Sequence, residues 1–317
     1  MRYVGTLFGT MAAAAAAVVI SATAPALADG YPERPITLIV PWNAGGTTDI
    51  VARLFAPELS EELGQPVAVV NKVGGGGALG TKEALDAKDG YTIIMTTSGN
   101  HILTPLAKDV GYRADEFAGI GQLSERTLIL AVQDDAAWSD LKELQADAKA
   151  NPGKYTFGAV PNVLPFLTLK SWADKAGVEL VHVPQQGGAP GVNGVLGGHL
   201  DMVPESLASV QSHLKAGTMK GLAVFNKERD PNAPDVPTAK EQGFEVYGNP
   251  FTGVAVAKDV PPEVVEKLRA ATAKIAKDPD FVKKMQQSGD GVQYLDGPAF
   301  EEVWMRDWNN YEPILKK

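Results

Sequence analysis

The chain of 317 residues contains no cysteine. This absence excludes thiol nucleophiles, disulfide bonds and cysteine-ligated metal sites. Histidine is scarce as well: there are four, and none lies three or four residues from another, as paired metal ligands on a helix would. The G-x-S-x-G motif of serine hydrolases and the H-E-x-x-H motif of zinc proteases do not occur. We therefore expect neither a metal nor an organic cofactor, and the pattern argues against an enzyme.

Basic residues are fewer than acidic ones. Lys and Arg number 29 against 38 Asp and Glu, so the formal net charge is -9. Nucleic-acid-binding domains carry clustered positive charge, and this balance excludes nucleic acid as the expected partner. A chain of negative net charge can still bind a small anion, because local backbone N–H groups and helix dipoles decide that binding.

Long apolar runs are confined to the N-terminus. Arg2 precedes the apolar run Met11–Ile20, and small residues then lead to Ala26-Leu27-Ala28. This order is typical of a secretory signal peptide over residues 1–28, cleaved after Ala28. A retained N-terminal anchor is the alternative, although a membrane span needs about 20 apolar residues. We expect an exported, soluble mature chain that begins at Asp29.

Strand-like and helix-like segments alternate along the mature chain. That alternation predicts an α/β fold with largely parallel sheets. Two strand-like segments, Leu128–Val132 and Thr252–Val256, are placed where the chain crosses between two lobes. The first lobe then comprises residues 29–130 and 254–317, and the second lobe, residues 131–253, is inserted into it.

The first candidate site is a turn between a strand at Ile36–Val40 and a helix that begins at Thr47. A helix start offers free N–H groups and the positive end of the dipole to an anion. Glycine lets a ligand approach the backbone closely. An ordinary strand-to-helix turn explains this segment equally well. The candidate ligand-binding residues of this turn are Trp42, Asn43, Ala44, Gly45, Gly46 and Thr47.

The second candidate site follows the strand Tyr91–Met95. Ligands of open α/β sheets bind just beyond the carboxyl ends of strands, and hydroxyl and amide groups there suit a carboxylate. We expect His101 to be a packing residue. The glycines at 75, 77 and 80 match a dinucleotide fingerprint, but no acidic residue ends the next strand to hold a ribose. The candidates here are Thr97, Ser98, Gly99 and Asn100.

Several ordered motifs resemble one receptor family. Tyr31–Arg53 follows the pattern Y-P-x-[KR]-P-I-x-[LIV]-[IV]-V-P-[FW]-x-x-G-G-x-x-D-x-x-A-R, and Gly64–Gly80 continues with G-Q-P-V and a glycine-rich turn. Later elements match at Val181–Pro184, Gly197–Met202 and Asp235–Gly243. The mature chain is thus similar throughout to the extracytoplasmic solute receptors of tripartite tricarboxylate transporters, the Bug family.

The resemblance implies a periplasmic-binding-protein fold of type II, with two crossing strands and a ligand cleft between the lobes. It also implies a periplasmic location, a small organic acid as ligand, and delivery to the membrane permease subunits of the transporter. We expect a monomer. The first lobe would hold the ligand carboxylate with the two segments above. Residues that the family implies for the second lobe are Val160, Asn162, Gln185, Gln186, Gly187 and Glu205.

Three segments depart from the family pattern. Val160–Phe166 replaces a Ser/Thr-rich loop, Gln185-Gln186-Gly187-Gly188 replaces Tyr-[Lys/Arg]-Gly-Gly, and Glu205 replaces Asp or Asn. The second lobe is therefore more apolar than in the family pattern. The ligand is then either a di- or tricarboxylate, as in the family, or a carboxylate with an apolar, aromatic body, which these departures favour. Docking on a sensor kinase instead of a permease is the alternative function. A carboxylate-activating hydrolase on the same fold is a further one, and would need a nucleophile with an adjacent base.

Overall fold

The computed structural model describes Met1, residues 30–288 and residues 291–316. The predicted signal peptide and its cleavage site after Ala28 lie outside the described residues. Within them the chain forms eleven β-strands and ten α-helices.

The strands are β1 (Ile36–Val40), β2 (Val67–Asn71), β3 (Thr92–Thr97), β4 (Phe117–Glu125), β5 (Leu128–Gln133), β6 (Thr156–Ala159), β7 (Val181–Pro184), β8 (Met202–Ser206), β9 (Met219–Val224), β10 (Phe251–Ala257) and β11 (Val292–Asp296). The α-helices are α1 (Thr47–Leu63), α2 (Ala78–Asp86), α3 (Thr104–Ala107), α4 (Leu141–Ala150), α5 (Leu164–Ala176), α6 (Gly188–Leu196), α7 (Leu207–Lys215), α8 (Pro262–Ile275), α9 (Pro279–Gln287) and α10 (Gly297–Leu315). A π-helix spans Ser98–Leu103, and a 3-10 turn spans Ala114–Glu116.

The strands form two sheets. The first has the order β11-β4-β10-β3-β1-β2 and the second the order β7-β6-β8-β5-β9. Strands β1, β2 and β3 are parallel, as are β6, β7 and β8. Strands β10 and β5 run antiparallel to both of their neighbours. Both sheets are therefore mixed rather than largely parallel, because β10 and β5 are antiparallel to the strands on either side of them.

The chain passes from the first sheet to the second between Glu125 and Leu128 and returns between Val224 and Phe251. The segments that we placed at the crossings are β5 and β10, which belong to different sheets. Since the first sheet takes strands from two separate parts of the chain, the architecture is the two-lobed periplasmic-binding-protein fold. The numbered bounds of the lobes stay a prediction.

Helices cover both faces of each sheet, so the central strands are nearly continuous runs of buried apolar residues, as expected for strands covered on both sides. On the first sheet, α1, α8 and α9 bury Phe55, Leu268 and Phe281 on one face. The opposite face is covered by α2 and α10. On the second sheet, α4 and α5 cover one face, and α6 and α7 the other. Burial of one such side chain stabilises the fold by about 1.5–3 kcal/mol.

One helix of the second lobe also packs on the first lobe. Leu164 and Leu167 of α5 share a buried cluster with Trp308 of α10. The hydroxyl oxygens of Thr168 and Tyr311 lie 3.2 Å apart at the same contact. The two lobes are therefore joined at the α5–α10 contact as well as by the crossing segments.

Local signals misplaced some helix boundaries. Proline usually kinks or ends a helix, yet helix α1 continues through Pro57, because Phe55 and Leu59 are buried on either side of it. Helix α10 likewise includes Pro313 instead of ending before it. Asp140, not Ser139, caps α4: its carboxylate accepts hydrogen bonds from the N–H groups of residues 142 and 143. A carboxylate is the stronger cap there, since it also complements the helix dipole.

Candidate functional site

The turn between β1 and α1 presents exposed backbone. Residues 43–47 are exposed, and Gly45 has a positive φ of 79°, which favours glycine. Gly46 is the N-cap residue of α1, and among the described residues no side chain caps that end. The first N–H groups of a helix have no partner within the helix. This end of α1 can therefore donate hydrogen bonds to an anion in the groove.

A buried carboxylate holds this turn from beneath. Asp49, 2% exposed, accepts hydrogen bonds from the N–H of Gly45 (2.8 Å) and from Nε of Arg53 (2.9 Å). Nδ2 of Asn71 donates to Oδ1 of Asp49 (2.9 Å) and to the carbonyl oxygen of Trp42 (3.0 Å). Asp49 therefore joins the turn to the first turn of α1 by accepting hydrogen bonds from three donors.

These contacts set the pKa of Asp49. Desolvation by burial is the largest single influence and raises the pKa, but the hydrogen bonds from Arg53, Gly45 and Asn71 together outweigh it and lower the pKa to about 2. The carboxylate is therefore ionised at neutral pH.

Trp42 lies across the two glycine-containing segments of the first lobe. Its side chain is half-buried, and a Cβ added to Gly99 would lie 3.1 Å from Cζ2 of the indole. A Cβ added to Gly77 would lie 3.4 Å from the same atom. The indole thus rests directly on the backbone at both glycines and connects the turn before α1 with the segments after β2 and β3.

The segment after β3 is organised by Asn100, which is fully buried. Its Oδ1 accepts hydrogen bonds from both the N–H and the hydroxyl of Thr97, each 2.8 Å. Its Nδ2 donates to Oγ1 of Thr81 in α2 (2.9 Å). The Tyr112 hydroxyl donates to the carbonyl oxygen of Asn100 (2.5 Å). Asn100 therefore fixes the end of β3 against the start of α2.

The hydroxyl groups of this segment also have partners inside the protein. The proton of the Thr97 hydroxyl is donated to Asn100. Oγ of Ser98, a residue 4% exposed, accepts a hydrogen bond from the N–H of Phe251 at the start of β10 (3.2 Å). These residues shape the edge of the groove, and a direct contact with ligand stays a prediction for each of them.

His101 is a packing residue. It is fully buried, and its ring lies 5.0 Å from that of Phe117 and 4.3 Å from that of Trp304, measured between centroids. Burial lowers its pKa to about 3, so the imidazole is neutral at physiological pH. It is enclosed away from the groove.

The second lobe contributes a separate cavity of about 200 Å³. Of the residues predicted for this lobe, Val160, Gly187 and Glu205 line it together. Val163, Pro165 and Gly188, which also line it, belong to two of the segments that depart from the family pattern. The sequence did not indicate the remaining lining residues, namely Gly158, Ala159 and Pro204. The cavity is therefore largely apolar, with one carboxylate.

The other predicted residues of this lobe lie beside the cavity. Asn162 is exposed and has a φ of 60°, the left-handed conformation that asparagine tolerates better than most residues. Gln185 is half-buried, and its side-chain amide donates to the carbonyl oxygen of Val183 (3.3 Å). Gln186 is exposed. The first-lobe residues do not line this cavity, so the two halves of the predicted site stand apart here.

Two larger cavities, of about 310 and 590 Å³, lie beside the crossing at Glu125 and contain none of the predicted residues. Their walls come from both lobes, so their volume depends on how far apart the lobes stand. The larger one is lined by Ser206, Leu207 and Ala208 at the start of α7, which also lacks a side-chain cap, but neither cavity contains the turn before α1 or any other predicted ligand-binding residue. We therefore place the candidate site at the turn before α1 and at the 200 Å³ cavity that Glu205 lines, not in the 590 Å³ cavity.

Comparison with known proteins decides the family. The model of the tripartite tricarboxylate transporter family receptor matches residues 51–317. The chain belongs to this receptor family. A protein encoded in the tcbD-tcbE intergenic region of Pseudomonas sp. (strain P51) is 34% identical over 88% of this chain and 84% of its own length. Protein BugT of Bordetella pertussis is 32% identical over 77% of each chain. The resemblance to Bug-family receptors is confirmed.

Solved receptors of this kind share the fold. A TctC solute-binding protein from Polaromonas, solved without ligand, is 33% identical, with a TM-score of 0.83 over 90% of this chain and 99% of its own. MatC from Rhodopseudomonas palustris with bound malate is 26% identical, with a TM-score of 0.62 over 90% and 100%. A second R. palustris protein, solved with adipate, is 25% identical, with a TM-score of 0.64 over 90% and 97%. The chain is thus a periplasmic solute-binding receptor of the TctC type.

In the part of the chain that the structure describes, no helix is both long and apolar enough to cross a membrane. Across the same residues, His, Asp and Glu side chains form no group of three that could hold a metal ion.

Proposed function

We propose that this receptor captures a small organic carboxylate in the groove between its lobes and delivers it to the permease of a tripartite tricarboxylate-type transporter. The observation that carries this proposal is the start of α1, where no described side chain caps the first N–H groups and a turn held by Asp49 leads into the helix. Such a helix end favours an anion through both its donors and its dipole. Malate and adipate in the two R. palustris proteins support the same ligand class.

In this proposal the two lobes act on different ends of the ligand. The turn at Trp42–Thr47 and the segment at Thr97–Gly99, which Asn100 holds in place, bind one carboxylate, and the half-buried Trp42 forms a wall for the ligand body. The cavity lined by Val160 and Glu205 receives the other end. This geometry fits both classes of candidate ligand, the di- and tricarboxylates and the aromatic carboxylates.

Closure of the lobes brings these halves together. The α5–α10 contact and the crossing segments join the lobes, whereas α1 and α6 lie on the other faces of their sheets. In this proposal the lobes stand open before the ligand binds. Hinge closure around a ligand would expel water from the groove.

A thermal-shift screen tests the ligand class. Mono-, di- and tricarboxylates, both aliphatic and aromatic, are compared with sugars, nucleotides and neutral amino acids. A ligand at 100 times its dissociation constant stabilises the folded state by about 2.7 kcal/mol, so a true ligand gives a clear shift. We expect shifts from carboxylates and recovery of the ligand unchanged after incubation. Shifts from sugars or nucleotides, with none from any organic acid, would contradict the proposal.

A further inference from the structure

Glu205 has an unusual place in the second lobe. It lies near the end of β8, half-buried, and it lines the cavity. Its Oε1 accepts a hydrogen bond from the N–H of Ser206 (2.7 Å). Its Oε2 faces the backbone of Gly188 so closely that a Cβ there would lie 1.9 Å from it. The carboxylate therefore needs glycine at position 188 to keep this position.

Gly188 is the first residue of α6, so the protein's own carboxylate lies at the start of that helix. A helix start is where a bound anion is otherwise favoured. Pro190, in the same first turn, has no N–H to offer. The carboxylate of Glu205 thus already lies at the positive end of α6, where a ligand anion would otherwise be favoured.

The described side chains of the cavity wall bring no positive charge to Glu205. Among the described residues that line the cavity, none is Lys or Arg, and the remaining side chains are apolar. Opposite charges attract and like charges repel more strongly in a site from which water is excluded. A second ligand carboxylate entering this cavity would meet Glu205 without a cation, whereas a hydrogen-bond donor would meet a charged acceptor.

We propose that Glu205 is a specificity-determining residue that accepts a hydrogen bond from the far end of a monocarboxylate and excludes a second carboxylate. The far end is then a hydroxyl or an ammonium group, and the ligand body lies against Val160, Val163 and Pro165. This inference rests on the proposed function, because the first lobe is assigned to the ligand's only carboxylate. It selects among the ligand candidates left open above.

Two matched probe series test the inference by isothermal titration calorimetry. One is hexanoate, hydroxyhexanoate, aminohexanoate and adipate, with the substituent on the terminal carbon. The other is benzoate, para-hydroxybenzoate and terephthalate. The wild-type protein should bind the hydroxy or amino acid at least about tenfold more tightly than the diacid of the same series. Only the far group differs within a series, so body and length are held constant.

Glu205→Gln removes the charge and keeps the size of the side chain. We expect the preference over the diacid to fall by about tenfold or more, mainly because the diacid binds better. Glu179→Gln is the matched control: it removes the same charge from an exposed position of the second lobe and should leave both series unchanged. A melting curve for each variant confirms folding.

The outcomes separate this inference from the function on which it rests. If adipate or terephthalate binds the wild-type protein as tightly as its hydroxy analogue, or if Glu205→Gln leaves the preference unchanged, the role of Glu205 is refuted and carboxylate capture stands. If no carboxylate binds either protein, here or in the thermal screen, the proposed function is wrong and this inference falls with it.

Discussion

Two asparagines of the candidate site should respond oppositely to substitution, although both were predicted from the sequence as ligand-binding residues. Asn100 is fully buried, and its side chain makes three hydrogen bonds, two with Thr97 and one with Thr81. Asn43 is exposed at the turn before α1. The structure therefore predicts that Asn100 contributes to folding stability and Asn43 to ligand affinity.

The size of the effect follows from these contacts. A neutral hydrogen bond contributes about 0.5–1.5 kcal/mol to stability. Asn100→Ala removes all three side-chain bonds and leaves the N–H of Thr97 without its acceptor. We expect the free energy of unfolding to fall by about 2–4 kcal/mol. Asn43→Ala should change it by less than about 0.5 kcal/mol, as is usual for an exposed position.

Urea denaturation followed by circular dichroism measures the first quantity, and calorimetric titration with the best carboxylate from the thermal screen measures the second. We expect Asn43→Ala to weaken binding while the unfolding curve stays unchanged. If Asn100→Ala instead retains full stability and loses affinity, its amide contacts the ligand directly. In that case our interpretation of the segment after β3 would be refuted.

The remaining predictions concern pH, fluorescence and export. Asp49 has a native pKa of about 2, below its ordinary value, so its ionised form stabilises the fold above about pH 4 and that contribution is lost as the pH falls towards 2. The partner Arg53 is 53% exposed, so solvent screens the ion pair and limits its contribution. We expect Asp49→Asn to lower the free energy of unfolding, measured by urea denaturation, by about 1–2 kcal/mol at pH 7 and by almost nothing near pH 2. An equal loss at both pH values would contradict this. Ligand binding should change the fluorescence emission of Trp42, and Trp42→Phe should remove most of that change. Trp42→Ala should weaken the binding of an aromatic carboxylate more than that of an aliphatic one, by about 0.5–1.5 kcal/mol. Equal losses of binding free energy would mean that the indole only supports the turn. N-terminal sequencing of exported protein should begin at Asp29, and a retained Met1 would refute cleavage.

The local parts of the site could be predicted from the sequence. The turn from Pro41 to Asp49 combines a strand end, two glycines and a helix start within nine consecutive residues, so its N–H donors follow from neighbours in the chain. The start of α1 at Thr47 was predicted for the same reason, since the helix directly follows the glycine pair.

Contacts between distant residues could not be predicted. The amide of Asn100 suggests a ligand contact, but its partner Thr81 lies 19 residues away, in another element. Strand β4 was missed because it contains Gly119 and Gly121, and glycine is depleted in strands. The fold explains Gly119: a Cβ there would lie 2.7 Å from the carbonyl oxygen of Gly297. Similarly, the position of Glu205 against Gly188 depends on two elements that the chain brings together only on folding.

Ligand-driven closure of the groove is the central claim, and one distance tests it most directly. Because the chain has no cysteine, Glu61→Cys and Asn193→Cys introduce two unique labelling sites, both exposed, on α1 and α6. Pulsed electron–electron double resonance between spin labels at these two sites then measures the separation of the lobes, with and without a saturating carboxylate from the thermal screen. The account predicts a shorter distance with the carboxylate and no change with a sugar. An unchanged distance at saturation would contradict capture by lobe closure.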